Sequence, residues 1–531
     1  MKSRVLMMPK AALAAALSVA VLLTGCTTVD QKSDQKTVET SVEQAVRLTV
    51  LHTNDHHGRF WRNNRDEWGM AARKTLVDSI RAEVEGQGGN VLLLSGGDVN
   101  TGVPESDLQN AEPDFLGMNL LGYDAMALGN HEFDNSMEIL RMQDKMTDFP
   151  FLSANIYGTD SEERLFNAYE LFTFDDLTVA VMGLTTEDTA HLVMKANVEG
   201  IDFRSPVEEA RELVPTLQKK ADIVIAATHM GHYEDGNYGS NAPGDVTLAR
   251  EVDGIDMVVG GHSQNPMEKP DFQNNTWIVQ AHEWGKYVGR ADFELKAGEL
   301  TLVNYELIPV NHRDQEEKLV EDAEMLELLT PYQKKGQALV GGRIGSVDER
   351  LQGERDEVRM GYTNLGTLMT KAQMIRAEAD FGLINSGGIR ASIEAGAISY
   401  RDVLTVQPFS NQLAYIDLTG TEIEDYLAVV ATKSINSGAF AHFYGIEMTV
   451  DTEANRVTDI RIQGEALNPD KIYRMSFNNF SAGGGDNYPV MNTHPNYVDT
   501  GFMDAEVLKE YIKNNSPIRA VDYKPQGITR L

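Results

Sequence analysis

Five times between Leu51 and Gln264, an apolar stretch leads into a loop that carries histidine, aspartate or asparagine beside glycine. The loops are Leu51-His52-Thr53-Asn54-Asp55-His56-His57-Gly58, Ser95-Gly96-Gly97-Asp98, Gly129-Asn130-His131-Glu132-Phe133-Asp134, Thr228-His229-Met230-Gly231-His232 and Gly260-Gly261-His262-Ser263-Gln264. The runs Val46–Leu51, Val91–Leu94, Ala125–Leu128, Val179–Met182, Ile223–Ala226, Met257–Val259 and Trp277–Val279 are short and mostly bounded by Gly, Asp or Asn. Such runs, alternating with helical stretches, predict the buried strands of a layered α/β domain over residues 46–317. Polar residues at the carboxyl ends of successive strands converge on one rim, where α/β proteins bind ligands. Glycines in these loops let backbones approach closely.

Histidine usage divides the chain. Ten of its twelve histidines lie at or before His312; only His442 and His494 follow. Metal chemistry is therefore expected in the first half. Residues 318–343 read as a linker or hinge helix, interrupted at Pro331 and Gly336, with the pivot expected near Lys335 and Gly336. A second α/β region is expected over 344–531. The chain has one cysteine, which excludes an internal disulfide and a thiolate zinc cluster. Any metal must take imidazole and oxygen donors, a set that suits Zn, Mn, Mg or Co. Taken singly, each loop fits a capped turn or a surface ion pair equally well.

Taken in order, Asp-x-His, Gly-Asp, Gly-Asn-His-Glu, His and Gly-His resemble the two-metal calcineurin-like phosphoesterases. The stretches Ile225–Tyr233 and Trp277–Lys286 are similar to the 5′-nucleotidase family, including its bacterial nucleotidase/UDP-sugar hydrolase members. The resemblance covers nearly all of residues 46–531. It implies a two-domain α/β architecture: a four-layer α/β/β/α metallophosphoesterase domain, a linker helix, and a C-terminal α/β nucleotide-specificity domain. It implies one metal on Asp55, His57, Asp98 and Gln264, and a second on Asp98, Asn130, His229 and His262, so that Asp98 bridges. A water between the ions would attack phosphorus in line. His131 and Asp134 resemble the catalytic pair: the imidazole stabilises phosphoryl or leaving-group charge, and the carboxylate orients it. His56, His232 and His282 are expected to be supporting groups, and His52 a core residue.

The second half contributes Arg355, Arg359 and Arg390, the aromatic and amide of Gln407-Pro408-Phe409-Ser410-Asn411, and the glycine-rich turn Phe480–Pro489. Singly, the phenylalanines fit a core and the arginines surface ion pairs. Together they have the parts of a nucleotide site: aromatics stack on a base, and arginines grip phosphate. The resemblance assigns Phe409, Phe480 and Asn411 to the base, Asp486 to ribose, and the three arginines to phosphate and nearby groups, with Gly438 lining the pocket. The formal charge of −33 makes duplex binding an expected absence and requires such local cations to capture an anion.

Lys2, Arg4 and Lys10 precede the uncharged run Ala11–Leu23, which ends in Leu23-Thr24-Gly25-Cys26. This resembles a bacterial lipoprotein signal: residues 1–25 are removed, Cys26 is lipidated, and 26–45 form a flexible tether. Thr27 implies outer-membrane rather than inner-membrane placement. The expected activity is 5′-nucleotidase hydrolysis of external AMP, and also of ADP and ATP, for nucleotide salvage. UDP-sugar hydrolase or 2′,3′-cyclic phosphodiesterase activity on the same scaffold is one alternative, and a non-catalytic nucleotide-binding surface lipoprotein is another. The membrane-anchored branch implies magnesium and chloride dependence, although no chloride motif is identified. No obligatory protein partner is evident.

Overall fold

The computed structural model describes residues 45–531 apart from 64, 162, 194–196, 234–242 and 410. The signal sequence, Cys26 and the tether lie outside the described residues. All seven predicted strand runs form strands. Two six-stranded sheets make the first half. In spatial order the first comprises Glu299–Pro309, Tyr287–Lys296, Val46–Thr53, Asn90–Ser95, Ala125–Ala127 and Phe151–Leu152. The second comprises Asp271–Gln273, Thr276–Val279, Met257–Val259, Ile223–His229, Leu177–Thr185 and Tyr169–Phe174. Its four inner strands are mutually parallel, as are the last four of the first sheet.

Side-chain alternation explains the layering. Val50, Leu92, Leu94, Val179, Val181 and Ile225 share one core between the sheets. Their neighbours Leu51 and Leu93 pack outward on the helices Met70–Gly86 and Glu112–Leu121. On the other side, Ala180, Met182, Val224 and Ala226 pack on Pro206–Leu217 and Asp245–Glu251. Strands apolar on both faces are what a sheet covered on both sides requires. The result is an α/β/β/α stack.

The linker corrects one expectation. Ala323–Val340 is a single helix that runs through Pro331 and Gly336. Asp322 caps its start by accepting from Met325 N at 2.8 Å, and Met325 and Leu329 are buried against the first half. Thr330 Oγ1 donates to Leu326 O one turn back, while the backbone N–H missing at Pro331 deprives Glu327 O of its helical partner. Gly336 is where the helix needs no side chain: a Cβ there would lie 2.6 Å from Glu105 Cβ. Tertiary packing outweighs two helix-breaking residues.

The second half has a five-stranded sheet, Ala441–Tyr444, Phe381–Asn385, Ile472–Asn478, Gln412–Thr419 and Tyr497–Met503. A four-stranded sheet of Glu465–Ala466, Arg456–Ile462, Ile446–Asp451 and Ile528–Arg530 shares a core with it. Asn364–Arg376 and Asp504–Asn515 cover it through a second core. Among the described residues, no helix is long and apolar enough to cross a membrane.

Candidate functional site

Val46–Thr53, Asn90–Ser95 and Ala125–Ala127 run parallel to the same rim, and the loops after them carry Asp55, His57, Asp98 and Asn130. Across the sandwich, Ile223–His229 ends on His229, and His262 and Gln264 follow Met257–Val259. The turns are sharp. Asp55, His57, Asp98, His262 and Gln264 all take left-handed backbone conformations, with φ between 50° and 73°. Non-glycine residues seldom adopt that region, and such strain gathers at functional sites. The loops also press together: a Cβ on Gly129 would lie 2.1 Å from Asp98 Oδ1, and one on Gly96 2.5 Å from Gly260 O.

The donor atoms form two clusters, His57/Asp98/His131 and Asp98/His229/His262, each with its donor atoms within 4.8 Å of one another. Asp98 belongs to both. His229 Nδ1 lies 2.6 Å from Gly96 O, and His57 Nδ1 lies 2.8 Å from Thr101 O. A carbonyl can only accept, so each ring donates from Nδ1 and turns Nε2 toward the cluster. His229 Nε2 sits 2.9 Å from Asp98 Oδ2, yet is buried without a hydrogen-bond partner. A buried ring nitrogen facing a carboxylate calls for a proton or a cation between them. Burial disfavours the imidazolium, but Asp98 and Asp55 outweigh it and lift the His229 pKa to about 10. Burial likewise opposes charge on Asp98, and His229 and His131 overcome it to hold the carboxyl well below its ordinary range. Burial, reinforced by His229, pushes His262 down to about 3, so that ring is neutral. His262 Nδ1 lies 2.9 Å from Asn130 Oδ1, close to the roughly 3 Å that separates ligands on one ion. The orphaned nitrogen, fixed tautomers and thiolate-free donors fit two divalent cations.

Gln264 reaches the same place differently. Its Nε2 lies 3.3 Å from Asp55 Oδ1 and 3.1 Å from His57 Nε2, while its Oε1 accepts from Arg355 Nη1 at 3.0 Å. A ligand amide presents oxygen, so this rotamer would have to turn over to ligate. Asp55 lies beside His57, 3.8 Å between Oδ1 and Nε2.

His131 stands at the mouth of the cluster. Its Nδ1 is 2.6 Å from Asp134 Oδ2, and its Nε2 is 3.9 Å from Asp98 Oδ2. Burial opposes protonation of this ring, but Asp134 and Asp98 together raise its pKa. The pair is thus built to hold an imidazolium against developing negative charge.

One cavity joins the halves. Its walls include Asp98, Asn130, His131, Asp134, His262 and Gln264 from the first half. All eight expected nucleotide-contacting residues, Arg355, Arg359, Arg390, Phe409, Asn411, Gly438, Phe480 and Asp486, line it from the second. Asp55, His57 and His229 lie behind that wall. Arg355 opens the short helix Arg355–Val358, whose capping box pairs Glu354 with Glu357, and Arg359 ends it. Burial, then repulsion from Arg355 and Arg390, lowers Arg359 to about 9. The same two causes, burial and Arg355, lower Arg390. These guanidiniums crowd one another. Phe480 sits on the helix Asn479–Ala482, capped by the Asn478 side chain on Ser481 N, and its ring lies against Gly485. Asp486, at φ 55°, accepts from Asn385 Nδ2 at 2.6 Å; burial raises its pKa against the opposing pull of Asn385 and Arg359.

The histidines expected to be supporting groups have other partners. His56 Nε2 meets Asp114 Oδ1 at 2.9 Å, His232 Nε2 meets Asp271 at 3.0 Å, and His282 Nδ1 donates to Gln264 O at 2.9 Å. His52 is fully buried, and burial pushes it to about 3. Sequence reasoning missed several residues. Glu132 accepts from the N–H groups of Asp98, Val99, Asn100 and Gly129 at 2.7–3.2 Å and so holds two ligand loops together. Asn54 donates to Asp55 Oδ2 and accepts from Ala281 N, both at 2.7 Å, tying one sheet's rim to the other's. Leu192, Val193, Tyr233, Asn385 and Asn436 also line the cavity. Glu132, Asn54 and Tyr233 lay inside motifs that the sequence displays, and Asn385 beside Arg390 on a glycine turn; Leu192, Val193 and Asn436 carried no signal in the sequence.

Comparison with known proteins agrees with this geometry. Residues 48–266 match the calcineurin-like phosphoesterase family, and residues 343–493 match the 5′-nucleotidase C-terminal domain. The 5′-nucleotidase of Vibrio vulnificus is 52% identical, covering 96% of this chain and 98% of its own. Protein UshA of Escherichia coli is 52% identical over 91% of this chain and 93% of its own. The crystal structure of a Thermus thermophilus 5′-nucleotidase precursor superposes with a TM-score of 0.77 at 30% identity, covering 91% of this chain and 99% of that one. With the donor clusters, the arginine and aromatic walls and both matched domains in one chain, the protein belongs to the bacterial 5′-nucleotidase/UshA family of two-metal phosphoesterases.

Proposed function

We propose that this hydrolase removes phosphate from nucleoside 5′-phosphates, AMP first and ADP and ATP as well, outside the cytoplasm and for salvage. The observation that carries the reading is a cavity whose walls hold both Asp98, shared by the two donor clusters, and the aromatic and arginine set. A receptor without turnover has no use for that combination. We take residues 46–317 as the metal-holding half and 344–531 as the half that selects the nucleotide.

In this reading Asp55, His57, Asp98 and Gln264 hold one ion, and Asp98, Asn130, His229 and His262 hold the other. Two divalent cations held there would supply Lewis acidity and would lower the pKa of water at the site. The chain's own residues do the rest. Gly96 O and Thr101 O fix His229 and His57 as Nε2 ligands. Glu132 keeps Asp98 in register with Asn130. Arg355, Arg359 and Arg390 gather the phosphate, whose charge relieves their mutual repulsion. Phe409 and Phe480 hold the base, Asn411 contacts its edge, Asp486 accepts from ribose hydroxyls, and Gly438 leaves room for the sugar. His131, kept charged by Asp134, meets the negative charge that grows on the phosphoryl group.

The donor set suits Zn or Mn at least as well as Mg, which prefers more oxygen ligands. We further propose that the chain is lipid-anchored through Cys26 in the outer membrane, supported by the Leu23-Thr24-Gly25-Cys26 stretch and Thr27. Phosphate release from AMP, UDP-glucose and 2′,3′-cyclic AMP, after chelation and readdition of Mg, Mn or Zn with and without chloride, tests the catalytic reading. We expect AMP to be the best substrate and activity to return with metal. Absence of metal-dependent release from AMP sinks it. Radiolabelled palmitate should enter the wild type and not Cys26→Ser; equal labelling removes the anchor.

A further inference from the structure

Phe409 is a base platform in the proposed function, yet it also touches the other end of the reaction. Its ring stacks on the His131 imidazole, with centroids 5.7 Å apart and planes 11° from parallel. The opposite side of the chemistry presses on the same imidazole: His57 meets it edge-on at 5.0 Å, and Asp134 holds its Nδ1. The Arg390 guanidinium lies 5.3 Å from the Phe409 ring centroid, so a phosphate-gripping cation, an aromatic and the imidazole form one contiguous row. Phe409 and His131 come from different halves of the molecule, and both line the shared cavity. His131 and Arg390 already lie against this ring, and a base seated beside them limits how far it can withdraw from the imidazole.

We infer that Phe409 is a positioning residue for His131 as well as a platform for the base, so that filling the base site steadies the imidazole at the phosphoryl group. The inference rests on the nucleotidase reading for the identity of the base, but the ring contact itself does not. It separates Phe409 from Phe480, whose ring rests on Gly485 and is in no ring contact with His131 among the described residues.

Two measurements on the full chain test it. In metal-free protein with ¹³C-labelled histidine, the His131 resonance, assigned by its loss in His131→Gln, should show an upfield ring-current shift that adenosine alters. Phe409→Leu should remove both effects and Phe409→Tyr should keep them. In metal-loaded protein, Phe409→Leu should lower kcat for p-nitrophenyl phosphate, an ester without a base, by about 10-fold at unchanged metal content, the scale of a misplaced catalytic group. Phe409→Tyr should recover most of that loss. Phe409→Met, which keeps apolar bulk without a π face, should behave like the leucine variant and replaces it if that variant does not fold. Wild-type kcat on p-nitrophenyl phosphate in either ring-less variant overturns the inference, whatever the resonance does. A wild type that splits p-nitrophenyl phosphate but not AMP would instead overturn the nucleotidase reading, and the ring-less variants would still decide the role of Phe409.

Discussion

In the first half, most of the functional side chains are buried, with Asp134, His262 and Gln264 half-buried, and several are tied down by a backbone carbonyl or a neighbouring side chain. His57 and His229 are fixed by backbone carbonyls, Asp98 by the loop that Glu132 gathers, and Asp55 by Asn54. In the second half, the functional side chains stand on a four-residue helix, a glycine turn and a loop, and several are partly exposed. The electrostatics differ in the same way. The metal half concentrates carboxylates and lone pairs that need cations; the nucleotide half crowds three guanidiniums that need an anion. The difference teaches that the two sites have separate tasks. A metal centre tolerates little displacement, because ligand distances are short and directional. A pocket for a multivalent organic anion works through several weaker contacts, each of which is individually dispensable.

That contrast can be broken by mutation, with losses that should fall in a definite order. Asp98→Asn keeps the volume but weakens the shared ligand, and kcat/KM for AMP should drop by at least about 10³-fold, with bound metal falling from two toward one per chain. Near-normal turnover with two metals bound would remove Asp98 from the centre of the argument. His131→Gln should lower kcat by about 10²–10³-fold while KM stays close to that of the wild type, because the group acts on charge that develops late. A KM-only effect would make His131 a binding residue. Glu132→Gln should weaken metal binding by about 10–100-fold, read by titration of the metal-free protein, because it loosens two ligand loops without touching an ion. Unchanged metal affinity would show that the loops hold themselves. Phe480→Ala should raise KM for AMP by about 10-fold, within the roughly 1–3 kcal/mol of one stacking face, with less effect on p-nitrophenyl phosphate. If both substrates suffer equally, Phe480 is core rather than platform, and the two halves are less distinct than drawn here.

Much of this is legible in the amino-acid sequence. Ligand residues in this fold lie directly after parallel strands, and a buried parallel strand announces itself as an apolar run. Hence Asp55, His57, Asp98, Asn130, His229 and His262 could be placed at one rim from local pattern and resemblance alone, and the structure brings all six together. The nucleotide residues were legible for a different reason. Singly, the phenylalanines fit a core and the arginines surface ion pairs; resemblance alone grouped them, and the structure brings them to the wall of one cavity. The linker is the expected helix but runs unbroken where interruptions are expected, because helix propensity is a weak guide where packing decides. Pro331 and Gly336 both argue against a helix, but the face carrying Met325 and Leu329 is buried, and Gly336 fits against Glu105. Leu192 and Val193 were not legible at all. Nothing in their neighbourhoods marks them as pocket walls; they become so because the second half lies against them.

The amino-acid order by itself determined the donor chemistry, the strand-loop grammar and the absence of thiolate ligands, since these depend on residue type and on spacing within a few positions. Tertiary structure alone decided that Gln264 turns its oxygen to Arg355, that Glu132 serves four amides, and that Phe409 lies near-parallel to His131. Those contacts join residues from separate loops and halves, at angles that no local pattern encodes, and only packing the whole chain against itself selects them.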